Sequence, residues 1–173
     1  GTAQYHINAD IAYAFNKYEA VTGDTDFMFR DGAEVLAETA RMWADLGFWR
    51  VNQDKTFHIH SVTGPDEYTT VVNNNLFTNA MARANLRNAA QLLRRMHVTD
   101  PEAYERLARR IDLRDEEIVE WEECAEGMYI PYDETLRVHP QDEHFLEREL
   151  WDVRNTPMSR RPLLLHYHPL VIY

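Results

Sequence analysis

Val62-Thr63-Gly64-Pro65-Asp66-Glu67-Tyr68, with Asn73-Asn74-Asn75 shortly after it, is a loop in a chain that otherwise reads mostly as helices. The stretch 63–75 is rich in Gly, Pro, Asp, Thr and Asn, the residues that break regular structure. Gly64-Pro65 makes a rigid turn, because Pro fixes φ and Gly permits close approach. Asp66 and Glu67 are thereby aimed from a loop tip just before a helix. A carboxyl group held this firmly can act as a general acid, and an apolar neighbour such as Tyr68 can keep it protonated near neutral pH. The asparagines offer amide donors and acceptors that suit sugar hydroxyls. The plainer alternative is a surface turn with solvated carboxylates, its asparagines capping the next helix.

Outward from this loop the pattern is helical. Upstream, Ile11, Ala14, Phe15 and Tyr18 recur at helical steps over residues 8–21, and Thr22-Gly23-Asp24 ends that helix. A second helix is expected over 25–47, with Val35, Leu36, Thr39, Met42, Trp43 and Leu46 on its apolar stripe. The two make an antiparallel hairpin. Residues 57–62 alternate as a short strand or extended piece. Downstream, helices are expected over 75–96, from Thr99-Asp100-Pro101-Glu102 to about 110, and over 114–127. Residues 129–138 read as extended and 142–150 as one more short helix. The class is mainly α, with short extended segments between helices and no linker to divide 1–173 into two domains.

The 173 residues are 45% apolar, enough for a sizeable core. Acidic residues outnumber basic ones 29 to 18, giving a net charge of −11. Such a surface repels nucleic-acid phosphates and anionic lipid, so neither is an expected partner. No apolar run reaches the ~20 residues of a membrane span, and no signal-peptide pattern opens the chain. Cys124 stands alone, and a cytoplasmic setting fits it. The start has no initiator Met, and the end falls among the apolar Leu170, Val171, Ile172 and Tyr173. The expectation is a partial catalytic domain truncated at both ends; a processed mature chain is the alternative.

The blocks His6-Ile7-Asn8-Ala9-Asp10-Ile11-Ala12-Tyr13-Ala14, Thr22-Gly23-Asp24, Thr63-Gly64-Pro65-Asp66-Glu67-Tyr68 and Asn74-Asn75, in this order and spacing, resemble glycoside hydrolase family 65. That family holds maltose, trehalose and kojibiose phosphorylases and related hydrolases. The resemblance implies part of an (α/α)6 barrel with its active site at one mouth. It assigns Glu67 as the general acid of an inverting reaction on an α-linked glucosyl disaccharide. It implies inorganic phosphate as co-substrate, no other cofactor and no metal. A homodimer is an assembly open to the full-length protein. The family's phosphate-binding residues fall further along the chain than Tyr173, so this piece alone is expected to be inactive. A trehalase-like hydrolase using water, or a non-catalytic carbohydrate-binding helical module, are the alternatives.

The remaining candidates fit around Glu67. His6 and Asp10, four apart, share a helix face and can bind sugar hydroxyls or simply pair. With Asp66, Tyr68, Asn74 and Asn75 they form the expected substrate-binding set. Asp66 is short enough to brace the turn through nearby backbone N–H groups while Glu67 reaches outward. Trp43, Trp49 and Tyr68 could stack on sugar rings, though Trp43 lies on the apolar stripe of its helix and reads as core. His58-Ile59-His60 and His166-Tyr167-His168 have metal-compatible spacing, but the resemblance brings no metal. The charge run 112–126 reads as a solvated helix face, and Cys124 as a buried thiol.

Overall fold

Gly23, left-handed at φ 70°, closes α1 (His6–Thr22) by donating its N–H to the Glu19 carbonyl at 2.7 Å. Asp24 then caps α2 (Thr25–Phe27), its Oδ1 accepting from the Phe27 N–H at 3.0 Å. The computed structural model describes residues 3–52, 55–68 and 70–167. The helix expected over 25–47 is continuous but not uniform: a π-helical turn, Met28–Gly32, joins α2 to α3 (Ala33–Leu46). Gly32 makes room there, since a Cβ would sit 2.8 Å from the Met28 Sδ. The extra residue shifts the apolar phase by about 100°, but α2, with three residues, is too short to display a stripe against which the shift could be read.

The long α4 (Leu76–Thr99) is the centre of the molecule, and α1, α3, α5 (Pro101–Ile111) and α6 (Asp115–Gly127) all pack on it. Its buried Ala82, Ala89 and Ala90 allow close helix approach, and Leu86, Leu93 and Met96 fill the core. Trp43 is fully buried and donates its indole N–H to Asn85 Oδ1 at 3.2 Å. Asp100 caps α5 as its sequence suggests, accepting from the Ala103 N–H at 2.9 Å.

The apolar stripe expected on the first helix is corrected in part: Phe15 packs against the core and stacks on Phe27, but Ile11, Ala14 and Tyr18 are exposed. His6, Ala9 and Ala12 are the residues buried against the core, whereas Ile7, Ile11, Ala14, Tyr18 and Val21 form an exposed stripe at helical spacing. The helix is apolar on two faces, and only the small-residue face fits closely against the alanines of α4. The charge run also has an exception. Glu117 lies in the first turn of α6 with its side chain only 11% exposed, bound by Arg41 of α3 through Nε–Oε1 at 2.7 Å and Nη2–Oε2 at 3.0 Å. The same guanidinium donates to the carbonyls of Ile111 and Asp112 at 2.9 and 3.1 Å, so one arginine ties α3 to the α5–α6 turn.

Two short strands, β1 (Phe48–Trp49) and β2 (Phe57–His58), pair antiparallel with Phe48 opposite His58. Trp49 packs on Phe57 and over Gly127, where a Cβ would meet its ring at 2.4 Å. It is therefore a packing residue. Residues 129–138 are not extended throughout; Asp133 and Val138 pair across a tight turn. The helix expected over 142–150 is only a 3-10 turn, Phe145–Glu147. Asp142, 1% exposed, accepts both from the His144 N–H and from Arg148 at 2.9 and 3.0 Å, and such local bonding competes with helix formation.

Two outcomes follow from these contacts. The 173-residue chain on its own is expected to self-associate through the exposed α1 stripe, which light scattering against concentration would reveal; a monodisperse monomer at tens of micromolar would contradict it. Burial pushes the Glu117 carboxyl up, but hydrogen bonds from Arg41 and the Arg114 N–H outweigh it and hold the group below its ordinary 4.5. A depressed folded-state value contributes stability above that ordinary value and loses it as pH falls through the folded one. Melting scans should therefore show wild type losing more stability than Glu117→Gln as the pH drops below about 4.5.

Candidate active site

The loop carrying Glu67 is closed at its neck by a backbone pair. Val62 N–H donates to Val72 O at 2.9 Å, and Val72 N–H to Val62 O at 2.8 Å. Ser61, Val71 and Asn74 around this neck are left-handed, at φ 58°, 59° and 49°. For Val71, β-branched and exposed, that is strain, which the neck must hold in place. The base of the loop is gripped from the amino-terminal side: Thr63 N–H donates to Ala3 O at 2.9 Å, and the His6 ring meets Thr63 O at 3.1 Å. Because that carbonyl can only accept, His6 Nδ1 carries the proton.

Gly64 is seated directly on the start of α4. A Cβ there would lie 2.6–2.7 Å from the amide atoms of Asn75. That amide is not free to move. Its Oδ1 accepts from the Thr78 N–H at 3.0 Å and the Thr78 hydroxyl at 3.1 Å, capping α4, and its Nδ2 donates to Gln141 O at 3.3 Å. Asp66 Oδ1 accepts from the Tyr68 N–H at 3.1 Å, and its Oδ2 from Gln141 Nε2 at 3.0 Å. Glu67 projects to solvent, and its Oε1 accepts from the amide of Gln4. A cleft of about 430 Å³ opens beside the loop, with Pro65, Asp66, Phe77, His139, Phe145 and Leu146 on its walls. That is room enough for a sugar.

The structure thus brings His6, Asp66, Glu67, Tyr68, Asn74 and Asn75 to one end of the helices. His6, Asn74 and Asn75 are buried at 7%, 0% and 2% exposure, whereas Glu67 and Tyr68 are exposed and Asp10 is partly so. Asp10 makes no hydrogen bond or ion pair among the described residues. Sequence reasoning did not single out Gln4, Thr63 or Gln141. Their contacts run over long sequence separations, and no local pattern signals them.

A second polar cluster stands behind the neck. Asn79 Nδ2 donates to Tyr129 O at 2.7 Å, which fixes the orientation of its amide. It donates also to Asn74 Oδ1 at 3.3 Å, which turns Asn74 Nδ2 toward His58 Nδ1 at 3.0 Å, Glu143 Oε2 at 3.1 Å and His60 Nε2 at 3.3 Å. His58 Nδ1 is then an acceptor, and its Nε2–H donates to the Thr56 hydroxyl at 2.7 Å. Burial lowers His60 below its ordinary 6.5, with Glu143 opposing and Arg50 assisting that shift. The two histidines therefore converge on an amide. Among the described residues, no group of three or more His, Cys, Asp or Glu side chains is placed to hold a metal ion. His168 of the second pair lies outside the described residues.

A family model, the glycosyl hydrolase family 65 central catalytic domain, matches residues 1–172. The chain belongs to this family. Family 65 enzymes named α,α-trehalose phosphorylase, from Geobacillus stearothermophilus and Thermoanaerobacter brockii, are 51% and 48% identical over all 173 residues. A kojibiose phosphorylase from Halothermothrix orenii is 35% identical over 88% of the chain. The chain spans 22% of the length of each trehalose phosphorylase and 20% of the kojibiose enzyme. A solved structure from the human microbiome, provisionally named a kojibiose phosphorylase, superposes with a TM-score of 0.80 at 23% identity, covering 95% of this chain and 24% of that one. The helical arrangement is therefore that of part of a family 65 catalytic toroid.

Seating the loop on Asn75 has a direct consequence. Gly64→Ala places a methyl against a pinned amide, so the loop must lift or the cap of α4 must break. A loss of about 1–3 kcal/mol is expected, the usual range for overpacking, in denaturant unfolding of the full-length protein. An unchanged midpoint would mean that the loop does not rest on Asn75.

Proposed function

We propose that this chain supplies the general acid of an inverting phosphorolysis of an α-linked glucosyl disaccharide, with α,α-trehalose the first substrate to test. The observation that carries the reading is the difference between two adjacent carboxylates. Asp66 is engaged by a backbone N–H and by Gln141 on the wall of a sugar-sized cleft, while Glu67, next to it, stands exposed at the loop tip with the Gln4 amide on its carboxylate. An acid must reach the glycosidic oxygen, and a brace must not move; these positions suit Glu67 and Asp66 in turn.

In this scheme Glu67 gives its proton to the glycosidic oxygen as the C–O bond breaks. An oxygen of inorganic phosphate attacks the anomeric carbon from the opposite face. The remaining phosphate O–H restores the proton to Glu67, so no protein base and no further cofactor is required. Tyr68, exposed on the loop, meets a ring face or a sugar hydroxyl, and Asp10, partly exposed and free of hydrogen bonds and ion pairs among the described residues, is a further group for sugar hydroxyls. His6, Asn74 and Asn75, buried and internally bonded, serve the substrate by holding the loop. Phosphate as acceptor is favoured by the named activity of the relatives at 51%, 48% and 35% identity, and trehalose by the first two of these.

The test uses the full-length enzyme with trehalose and with glucosyl fluoride, whose leaving group needs no proton. Glu67→Gln should lose about 10²- to 10⁴-fold on the disaccharide, the usual worth of general-acid help, and much less on the fluoride. Equal losses on both substrates, or retained disaccharide turnover, would remove Glu67 from the role; the substrate-dependent pattern in Asp66→Asn would exchange the two. Product that forms equally fast without added phosphate would replace phosphorolysis by hydrolysis.

A further inference from the structure

The carboxylate of Glu67 has one hydrogen-bond partner among the described residues, the side-chain amide of Gln4, sixty-three positions earlier. That contact is built in. Gln4 sits between the two backbone-level grips on the loop base, Ala3 O to Thr63 N–H at 2.9 Å and the His6 ring to Thr63 O at 3.1 Å. The amino-terminal segment thus runs along the loop as a strap, anchored on both sides of Gln4, and the amide bridges from the loop base to its tip. Nothing else described restrains a side chain with three rotatable bonds that projects into solvent.

We infer that Gln4 is a positioning residue for Glu67, fixing the direction of its carboxyl and leaving the transferable proton on Oε2. The inference rests on the reading of Glu67 as the acid. Its chemistry is simple. An amide N–H aimed at Oε1 makes that oxygen the acceptor, so in the protonated acid the O–H belongs on Oε2, facing away from the strap. A proton donor gains from being held in one geometry before reaction, and a misplacement of about 1 Å can cost about 10²-fold in rate.

The experiment takes full-length enzyme through Gln4→Leu, which keeps bulk and removes the donor, and Gln4→Glu, which keeps length and places a second carboxylate beside the first. Both are measured on trehalose and on glucosyl fluoride, alongside Glu67→Gln and the Gln4→Leu/Glu67→Gln double variant. Expected for Gln4→Leu is a fall in disaccharide kcat of about tenfold, part of the 10²- to 10⁴-fold range of general-acid help. KM and fluoride turnover should stay within about twofold, since neither needs the oriented proton. In the double variant the Gln4 change should add nothing. Equal losses on both substrates, a loss carried by KM and not by kcat, or additive losses in the double variant would reduce Gln4 to a structural strap and overturn the inference. If Glu67→Gln itself keeps disaccharide turnover, the reading of Glu67 fails first and this one falls with it.

Discussion

The arrangement depends on one close contact, the backbone of Gly64 lying on the amide of Asn75. Asn75 is the cap of α4, and α4 is the helix on which every other long helix packs. The loop is therefore referenced to the most rigid part of the molecule through a single short side chain. From that point Pro65 sets the outgoing direction, Asp66 locks the turn to Gln141, and Glu67 is left at the tip. Catalytic groups on loops gain accuracy when the loop is pinned to a packed scaffold. Here the pin is a helix cap, which needs its hydrogen bonds for its own reasons.

The loop is held from three other sides by groups of different kinds. The Val62–Val72 backbone pair closes the neck against the left-handed strain of Val71. The strap at residues 3–6 grips Thr63. Behind the neck, the Tyr129 carbonyl orients Asn79, Asn79 orients Asn74, and Asn74 selects the tautomer of His58. Each member of that chain is fixed by one that cannot reverse its role, since a carbonyl only accepts. A buried network of this sort is costly to break at any one link, which makes the neck a defined structure, although Asn79 Oδ1 is buried without a hydrogen-bond partner among the described residues.

Much of this was legible from residue order. The long helices and the break at Gly23 follow from local chemistry, and their positions agree to within a few residues. Of the cap residues open to the sequence, Asp24 serves and not Thr25, and Asp100 and not Thr99, while 142–150 holds only a 3-10 turn. The Gly64-Pro65 turn and the bracing contact of Asp66 are local as well. What sequence could not show was which of two apolar faces α1 buries, because Ala9 and Ala12 win by small size against the alanines of α4 and not by hydrophobicity. Nor could it show that Asn74 is buried at the centre of a polar cluster while Asp10 stays open, or that Glu117 in an acidic run is sequestered by Arg41. Arg41 lies 76 residues from Glu117, and the side-chain partners of Asn74 lie 5 to 69 residues away.

The account makes Glu67 the group that meets the scissile bond, and a structure of the full-length enzyme with a non-hydrolysable disaccharide analogue measures this directly. The Glu67 carboxyl should lie about 2.6–3.2 Å from the atom that replaces the glycosidic oxygen, or reach it through one water, with Asp66 still on Gln141. An analogue bound with Glu67 turned away and another carboxyl group at that distance would contradict it.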